Sequence, residues 1–266
     1  MKSNRIVTFL QQGYLILILA FLAMPIAMIV IFSFNADRFA GFPWGGFSLR
    51  WYEAIFNEPM VLEAALNSVK VGLVTALGAT LIGFCAAYID YRYRFFGKTF
   101  YSLIVAVPPA IPATVMGIAL LVFLSRIGIL GGLKAIAIAH IMIAASFAMA
   151  IIRLRLNELG NELESAAWNL GATQWQALLY VVIPFCRNAL IAAFFLSLAI
   201  SFDEFMIAWF VGGMYETLPV RILNLLQGQV SPRINAIGTL VFAVSITLVV
   251  SVLLLMRKTS KLTHRS

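Results

Sequence analysis

YLILILAFLAMPIAMIVIFSF, from Tyr14 to Phe34, runs for 21 residues without a charged side chain. An α-helix needs about 20 apolar residues to cross the hydrocarbon layer of a bilayer. Within that layer a helix satisfies all of its own backbone polar groups, which an open loop cannot do. The run is too long for the apolar core of a signal peptide and lacks a clean small-x-small cleavage site. It therefore reads as an uncleaved anchor.

The same pattern recurs along the chain. Further apolar windows cover about Asn67–Ile89, Phe100–Leu124, Ala135–Ile152, Asn188–Val211 and Ala236–Met256, making six expected spans. Hydrophobic residues form 62% and charged residues 11% of the 266 residues, against roughly half and about one quarter in an average soluble domain. Water could not solvate that surface, so lipid must. The fold class is an all-α membrane protein, a single transmembrane domain over residues 1–266.

The formal charge of +8 would raise nucleic acid as a partner in a soluble protein. Here the cations sit in short loops between apolar runs, so membrane topology accounts for them and no nucleic acid is expected. With the N-terminus inside, twelve Lys and Arg fall on the inner side, among them Lys2, Arg153, Arg155 and Arg265. Six fall outside, and Lys70 snorkels at the edge of the second span. That imbalance puts both termini in the cytoplasm, and with them the loop of about Arg153–Arg187.

That loop contains ESAAWNLGAT, Glu164 to Thr173, continued by VVIP, Val181 to Pro184. Leu163–Leu170 is expected as a short helix ended by Gly171, which supplies a left-handed residue. Thr173 is a candidate N-cap for a second helix over Gln174–Val182, and Pro184 is expected to close the loop before the fifth span. The small residues let another surface approach closely, and Glu158, Glu162 and Glu164 suit a basic partner. An amphipathic helix resting on lipid headgroups is the alternative.

The spacing of Ala166, Ala167, Gly171, Ala172, Ile183 and Pro184 resembles the EAA loop of the membrane subunits of bacterial ABC importers. Phe47-Ser-Leu-Arg-Trp-Tyr52, Asn67-Ser68, Pro108-Pro-Ala-Ile-Pro112, Ser201-Phe-Asp-Glu204, Leu218-Pro-Val-Arg-Ile222 and Val230-Ser-Pro-Arg-Ile-Asn235 resemble that family's spermidine and putrescine branch. The resemblance implies a permease with a cytoplasmic coupling helix seated on an ATPase. Its implied partners are two ATPase subunits, a second and different homologous permease, an external substrate-binding protein and membrane lipid. Ser165 stands where the family usually has the Glu of its motif, so Glu164 is expected to carry the charge toward the ATPase.

Asp203 and Glu204 are the carboxylates within an expected span, and a charge there is costly enough to be read as functional. Glu204 shares a helical stripe with Ser197 and Ser201, seven and three residues back, giving a candidate pathway surface for a cationic solute. Asp203 falls with Ala199, Ile200 and Ile207, an inter-helix or helix-end position. The alternative places both acids at the outer end of the span, in reach of water.

No G-x-x-x-x-G-K-[ST] loop is present, so ATP hydrolysis is expected on another chain and this one is not expected to be an enzyme. His140 and His264 are alone, so neither a metal nor a cofactor is expected and His140 reads as a packing residue. Cys85 and Cys186 give no disulfide framework. Pro108, Pro109 and Pro112 break the third helix beside a cavity or at a packing kink. Trp44, Trp51 and Tyr52 read as interfacial anchors. Tyr215, Arg221 and Arg233 are either contacts for a delivery protein or solvated loop residues. Within the importer class the substrate is a polyamine, with opine-like or amino-acid-derived compounds as alternatives. An ion-coupled secondary transporter using Asp203 and Glu204 is the competing class, weakened by the lack of an internal repeat.

Overall fold

The computed structural model describes residues 5–38, 41–160, 162–228 and 232–263. Lys2, Val230, Ser231, His264 and Arg265, used above, lie outside the described residues. The chain begins with α1 (Arg5–Phe32), α2 (Arg50–Phe56), α3 (Pro59–Arg92) and α4 (Lys98–Ala106). A 3-10 turn (Pro108–Ala110) leads to α5 (Ala113–Arg126), α6 (Leu133–Asn157), α7 (Glu162–Asn169) and α8 (Gln174–Ala177). A π turn (Leu178–Val182) joins α8 to α9 (Ile183–Asp203), followed by α10 (Met206–Val211), α11 (Leu218–Gly228) and α12 (Pro232–Thr263). Extended pairing among the described residues is limited to the bridge between Asn35 and Phe47.

Four described helical runs are long and apolar enough to cross a membrane: Phe9–Phe32, Pro59–Arg92, Leu133–Asn157 and Gln174–Asp203. Two shorter apolar helices, Ala113–Arg126 and Pro232–Thr247, fall where the third and sixth spans were expected. The third is divided because Pro108, Pro109 and Pro112 donate no backbone hydrogen bonds and their rings exclude a continuous ladder.

The expected fifth span, Asn188–Val211, differs at both ends. It begins at Gln174, so Pro184 lies inside a continuous helical run and does not close a loop. The π turn just before Pro184 explains how: a wider turn leaves room for a residue that lacks an N–H and crowds the preceding carbonyls. The run stops at Asp203, where Glu204 turns to an extended ψ of 110°. Asp203 and Glu204 therefore stand at a helix break and not within one continuous helix.

The chain divides into two compact units. The first comprises residues 1–62 and 222–244. There the segment after α1 is folded back on itself. Trp51 Nε1 donates to the Asn35 carbonyl at 2.8 Å, Tyr52 Oη lies 2.7 Å from Ser33 Oγ, and Phe34 stacks on Phe47. Trp51 and Tyr52 thus brace this loop, and Arg233 pairs with Glu58.

The second unit comprises residues 63–221 and 245–266. One of its cores gathers Met116, Leu120 and Leu124 of α5 with Ile136 of α6 and Ile207 and Val211 of α10. Another gathers Ala87 of α3, Ala148, Ile152 and Leu156 of α6, and Val182 and Cys186 at the start of α9. α3 reaches α6 closely because Ala79, Gly83 and Ala87 form a stripe of small residues. A Cβ on Gly83 would lie 2.7 Å from the Ala148 Cβ and 2.8 Å from the Met149 nitrogen.

Candidate functional site

α7 ends as its sequence directs. Gly171 has φ +86°, the Ala172 N–H donates to the Ala167 carbonyl at 3.0 Å, and the Gly171 N–H donates to the Trp168 carbonyl at 2.8 Å. These two bonds form the paired closure of a Schellman motif. Two residues later the next helix starts with a complete capping box. Gln176 N–H donates to Thr173 Oγ1 at 3.3 Å, and Thr173 N–H donates to Gln176 Oε1 at 2.8 Å. The connection between α7 and α8 is therefore a defined turn whose ends both satisfy their backbone groups.

The outward face of α7 comprises Glu162, Leu163, Ala166, Asn169 and Leu170, with Leu163 and Leu170 exposed although apolar. Gly171, Trp175 and Gln176 continue that exposed surface, and Ser165, Ala167 and Ala172 are half-buried beside it. Between α3 and α8, a cleft of about 370 Å³ is lined by Phe84, Cys85, Tyr88, Ile89, Tyr93, Gln174, Trp175 and Leu178. The turn thus joins small residues, large exposed apolar side chains and an apolar cleft on one side of the unit.

Glu164 is the residue expected to carry the charge toward the ATPase. It is 2% exposed and turns inward, with the Arg92 Nε of α3 3.5 Å from one carboxylate oxygen. The Arg92 guanidinium also lies 4.5 Å over the Trp168 ring. Position 164 is on the inner side of a helix whose other side carries Leu163, Ala166 and Leu170, so the carboxylate there meets α3. Burial pushes the Glu164 carboxyl up from its ordinary range, and Arg92 pulls it partly back.

Sequence reasoning missed Asp90. It is 2% exposed and accepts from Arg153 Nε of α6 at 2.7 Å and Ser102 Oγ of α4 at 3.2 Å, with Lys98 Nζ at 3.8 Å. Lys98 also donates to the Asp90 carbonyl. One carboxylate thereby ties α3, α4 and α6 together next to the α7–α8 turn. The available signal was a lone acid at the end of an apolar run, followed by Arg92, Arg94 and Lys98 within eight residues.

The polar stripe on α9 faces α6. Ser201 Oγ lies 2.8 Å from His140 Nδ1 of α6, both residues are buried, and Ser197 is fully buried. A buried imidazole needs a polar neighbour, and Ser201 supplies it at the α6–α9 contact. Glu204 Oε1 accepts from the Ile207 N–H at 3.0 Å and so caps α10, while Asp203 is exposed. Arg221 pairs with Glu216 at 3.5 Å. The described Cys85 and Cys186 are both free thiols.

The architecture is that of the membrane subunit of an ABC importer. A crystal structure of a bacterial ABC transporter involved in the import of the acidic polysaccharide alginate matches with a TM-score of 0.73 and 18% identity. That match covers 97% of this chain and 98% of the other. The chain belongs to the family described as binding-protein-dependent transport system inner membrane component, which matches residues 79–261. It is 35% identical over 251 residues to the spermidine/putrescine transport system permease protein PotC of Haemophilus influenzae, covering 94% of this chain and 97% of that one. It is 31% identical to the putrescine transport system permease protein PotI of Escherichia coli strain K12, covering 85% of this chain and 83% of that one. The chain is thus a transport permease subunit and not an enzyme, which removes the ion-coupled secondary transporter as the competing class.

Proposed function

We propose that this chain is one of two permease subunits in a bacterial polyamine importer, moving spermidine, putrescine or a closely similar cation. The observation that carries the substrate class is the 35% identity to a spermidine/putrescine permease across 94% of this chain. Energy comes from two ATPase subunits in the cytoplasm, and an external binding protein delivers the solute. A second, different permease completes the pathway, and lipid surrounds both. The two compact units act as one domain of six spans, with the third span divided at its prolines and both termini cytoplasmic; the excess of Lys and Arg on that side supports this orientation.

In this reading the α7–α8 turn is the coupling element. Ser165, Ala166, Ala167, Gly171 and Ala172 allow a close approach, and Leu163, Leu170 and Trp175 offer apolar anchors. Pro184 acts from within the helix by requiring the π turn. At the other end of α9, exposed Asp203 draws the cation toward the pathway and Glu204 holds the break in place.

The test is reconstitution in proteoliposomes with the neighbouring ATPase, partner permease and binding protein. The expected result is ATP-dependent uptake of radiolabelled spermidine, with Asp203→Asn raising the half-saturating concentration severalfold while the ATPase stays bound. Uptake that ignores ATP, or an Asp203→Asn complex with unchanged concentration dependence, refutes the corresponding assignment.

A further inference from the structure

We propose that Arg92 is a positioning residue that carries movement between α7 and α3 by gripping Glu164 and Trp168 together. The inference rests on the importer-permease reading above and extends it to how the turn is linked to the membrane helices.

The grip has two points on one helix face. Glu164 and Trp168 are four residues apart, so their side chains stack one above the other on α7. Arg92 places its Nε 3.5 Å from the Glu164 carboxylate and its guanidinium carbon 4.5 Å over the Trp168 ring. A planar guanidinium can meet a carboxylate and lie on an aromatic face together, whereas an ammonium is a point charge. Outward displacement of either end of α7 therefore pulls on the same side chain.

The contact is also left free to adjust. Arg92 Nε stands 3.5 Å from the nearer Glu164 oxygen, longer than an ordinary N–H···O hydrogen bond. The two charges thus face one another across a gap that can shorten or open without breaking a hydrogen bond between them. By contrast, Asp90 is fully engaged by Arg153 and Ser102, which suits a fixed joint.

The surroundings keep the loop in place around this adjustable pair. Tyr91 Oη donates to the Gly160 carbonyl at 2.8 Å just before α7, and Gln174 Nε2 donates to Tyr93 Oη at 2.9 Å just after it. Three successive residues at the end of α3 and just beyond it thus hold the entry, the inner face and the exit of the turn. Arg92 is the last residue of α3, a helix of 34 residues that begins at Pro59. A push on the exposed Leu163–Ala166–Leu170 face is then delivered to the end of a long helix.

The experiment uses the whole complex in proteoliposomes, with spermidine uptake and ATP hydrolysis measured in the same preparation. Arg92→Gln should lower spermidine moved per ATP by about tenfold, within the range a single residue on a coupling route controls. Arg92→Lys, which keeps the charge and the fold, should fall between Arg92→Gln and the parent. The reversed pair Arg92→Glu with Glu164→Arg should recover about half of the lost ratio, since the two sites are in contact and not additive. An unchanged ratio in Arg92→Lys, or a reversed pair no better than Arg92→Gln, overturns the proposal, as does loss of assembly that the reversed pair leaves unrepaired. A parent complex that shows no ATP-dependent uptake would instead overturn the permease reading itself.

Discussion

Removing the Asp90 carboxylate should loosen the joint between α3, α4 and α6, and its size can be worked from the contacts. Breaking a buried ion pair by deleting one partner typically costs about 3–5 kcal/mol, because a buried charge is left alone. In Asp90→Ala the orphaned cations are not fully buried: the Arg153 and Lys98 side chains are 42% and 35% exposed. Water can take over part of their solvation, so roughly half of that cost should remain, about 2 kcal/mol. The Ser102 hydroxyl loses a charged acceptor, adding about 1 kcal/mol before it finds water.

The sum, about 3 kcal/mol, corresponds to a fall in Tm of about 6 °C or more for a domain of this size. Thermal unfolding of the purified chain in nanodiscs, followed by far-UV circular dichroism, measures it. Asp90→Asn keeps the shape and an acceptor for Ser102, and should lose less. Asp203→Ala, at an exposed helix end, is the control and should leave Tm within about 1 °C, as surface substitutions generally do. The reasoning fails if Asp90→Ala matches that control.

Gly83→Ala should destabilise by about 1–3 kcal/mol through overpacking against Ala148 and Met149, while Gly13→Ala, with open space around it, should not move the same unfolding curve. Gly171→Ala has room for its methyl group but must hold φ +86°, so about 1 kcal/mol of strain should speed amide exchange at residues 170–173 and leave the membrane helices protected. A pH effect should come from Glu164. Its folded-state carboxyl is raised above the ordinary 4.5 by burial, with Arg92 opposing and the Tyr88 and Tyr91 phenols nearby on α3. A raised pKa means the folded state favours the protonated group, so its contribution is complete below about pH 4.5 and fades as pH rises through the raised value. Amide protection of α7, corrected for intrinsic exchange, should therefore fall across that window and stay flat in Glu164→Gln; an equal slope in both refutes the assignment.

Features governed by adjacent residues were legible in the sequence. Gly171 and Thr173 act on backbone groups two or three positions away, so the end of α7 and the start of α8 followed from local chemistry. The prolines at 108, 109 and 112 broke their helix for equally local reasons. Glu164 could not be oriented this way, because Arg92 and Glu164 meet only after α3, α4 and α6 have packed. Asp90 was passed over for the same reason: its partners come from two other stretches of chain, α4 and α6. Counting residues by the α-helical period correctly put Ser197 and Ser201 on one face, but the period does not say what that face meets. It met His140.

The run from Gln174 to Asp203 has a mechanical consequence. At about 1.5 Å per residue its 30 residues span about 45 Å, from the capped turn to the exposed carboxylate. A rod of that length tilting by about 5° about its midpoint would carry its two ends about 2 Å in opposite directions. Displacement at the turn could thus reach Asp203 through backbone stiffness alone. The π turn sets the phase of that rod, because its wider winding fixes how the face at Gln174 is rotated relative to the face at Ser201. Deleting one residue within Leu178–Val182 would rewind the turn and twist the two halves apart by about 100°. The outer half could then keep Ser201 against His140 only if the inner half gave up its seat on Tyr93.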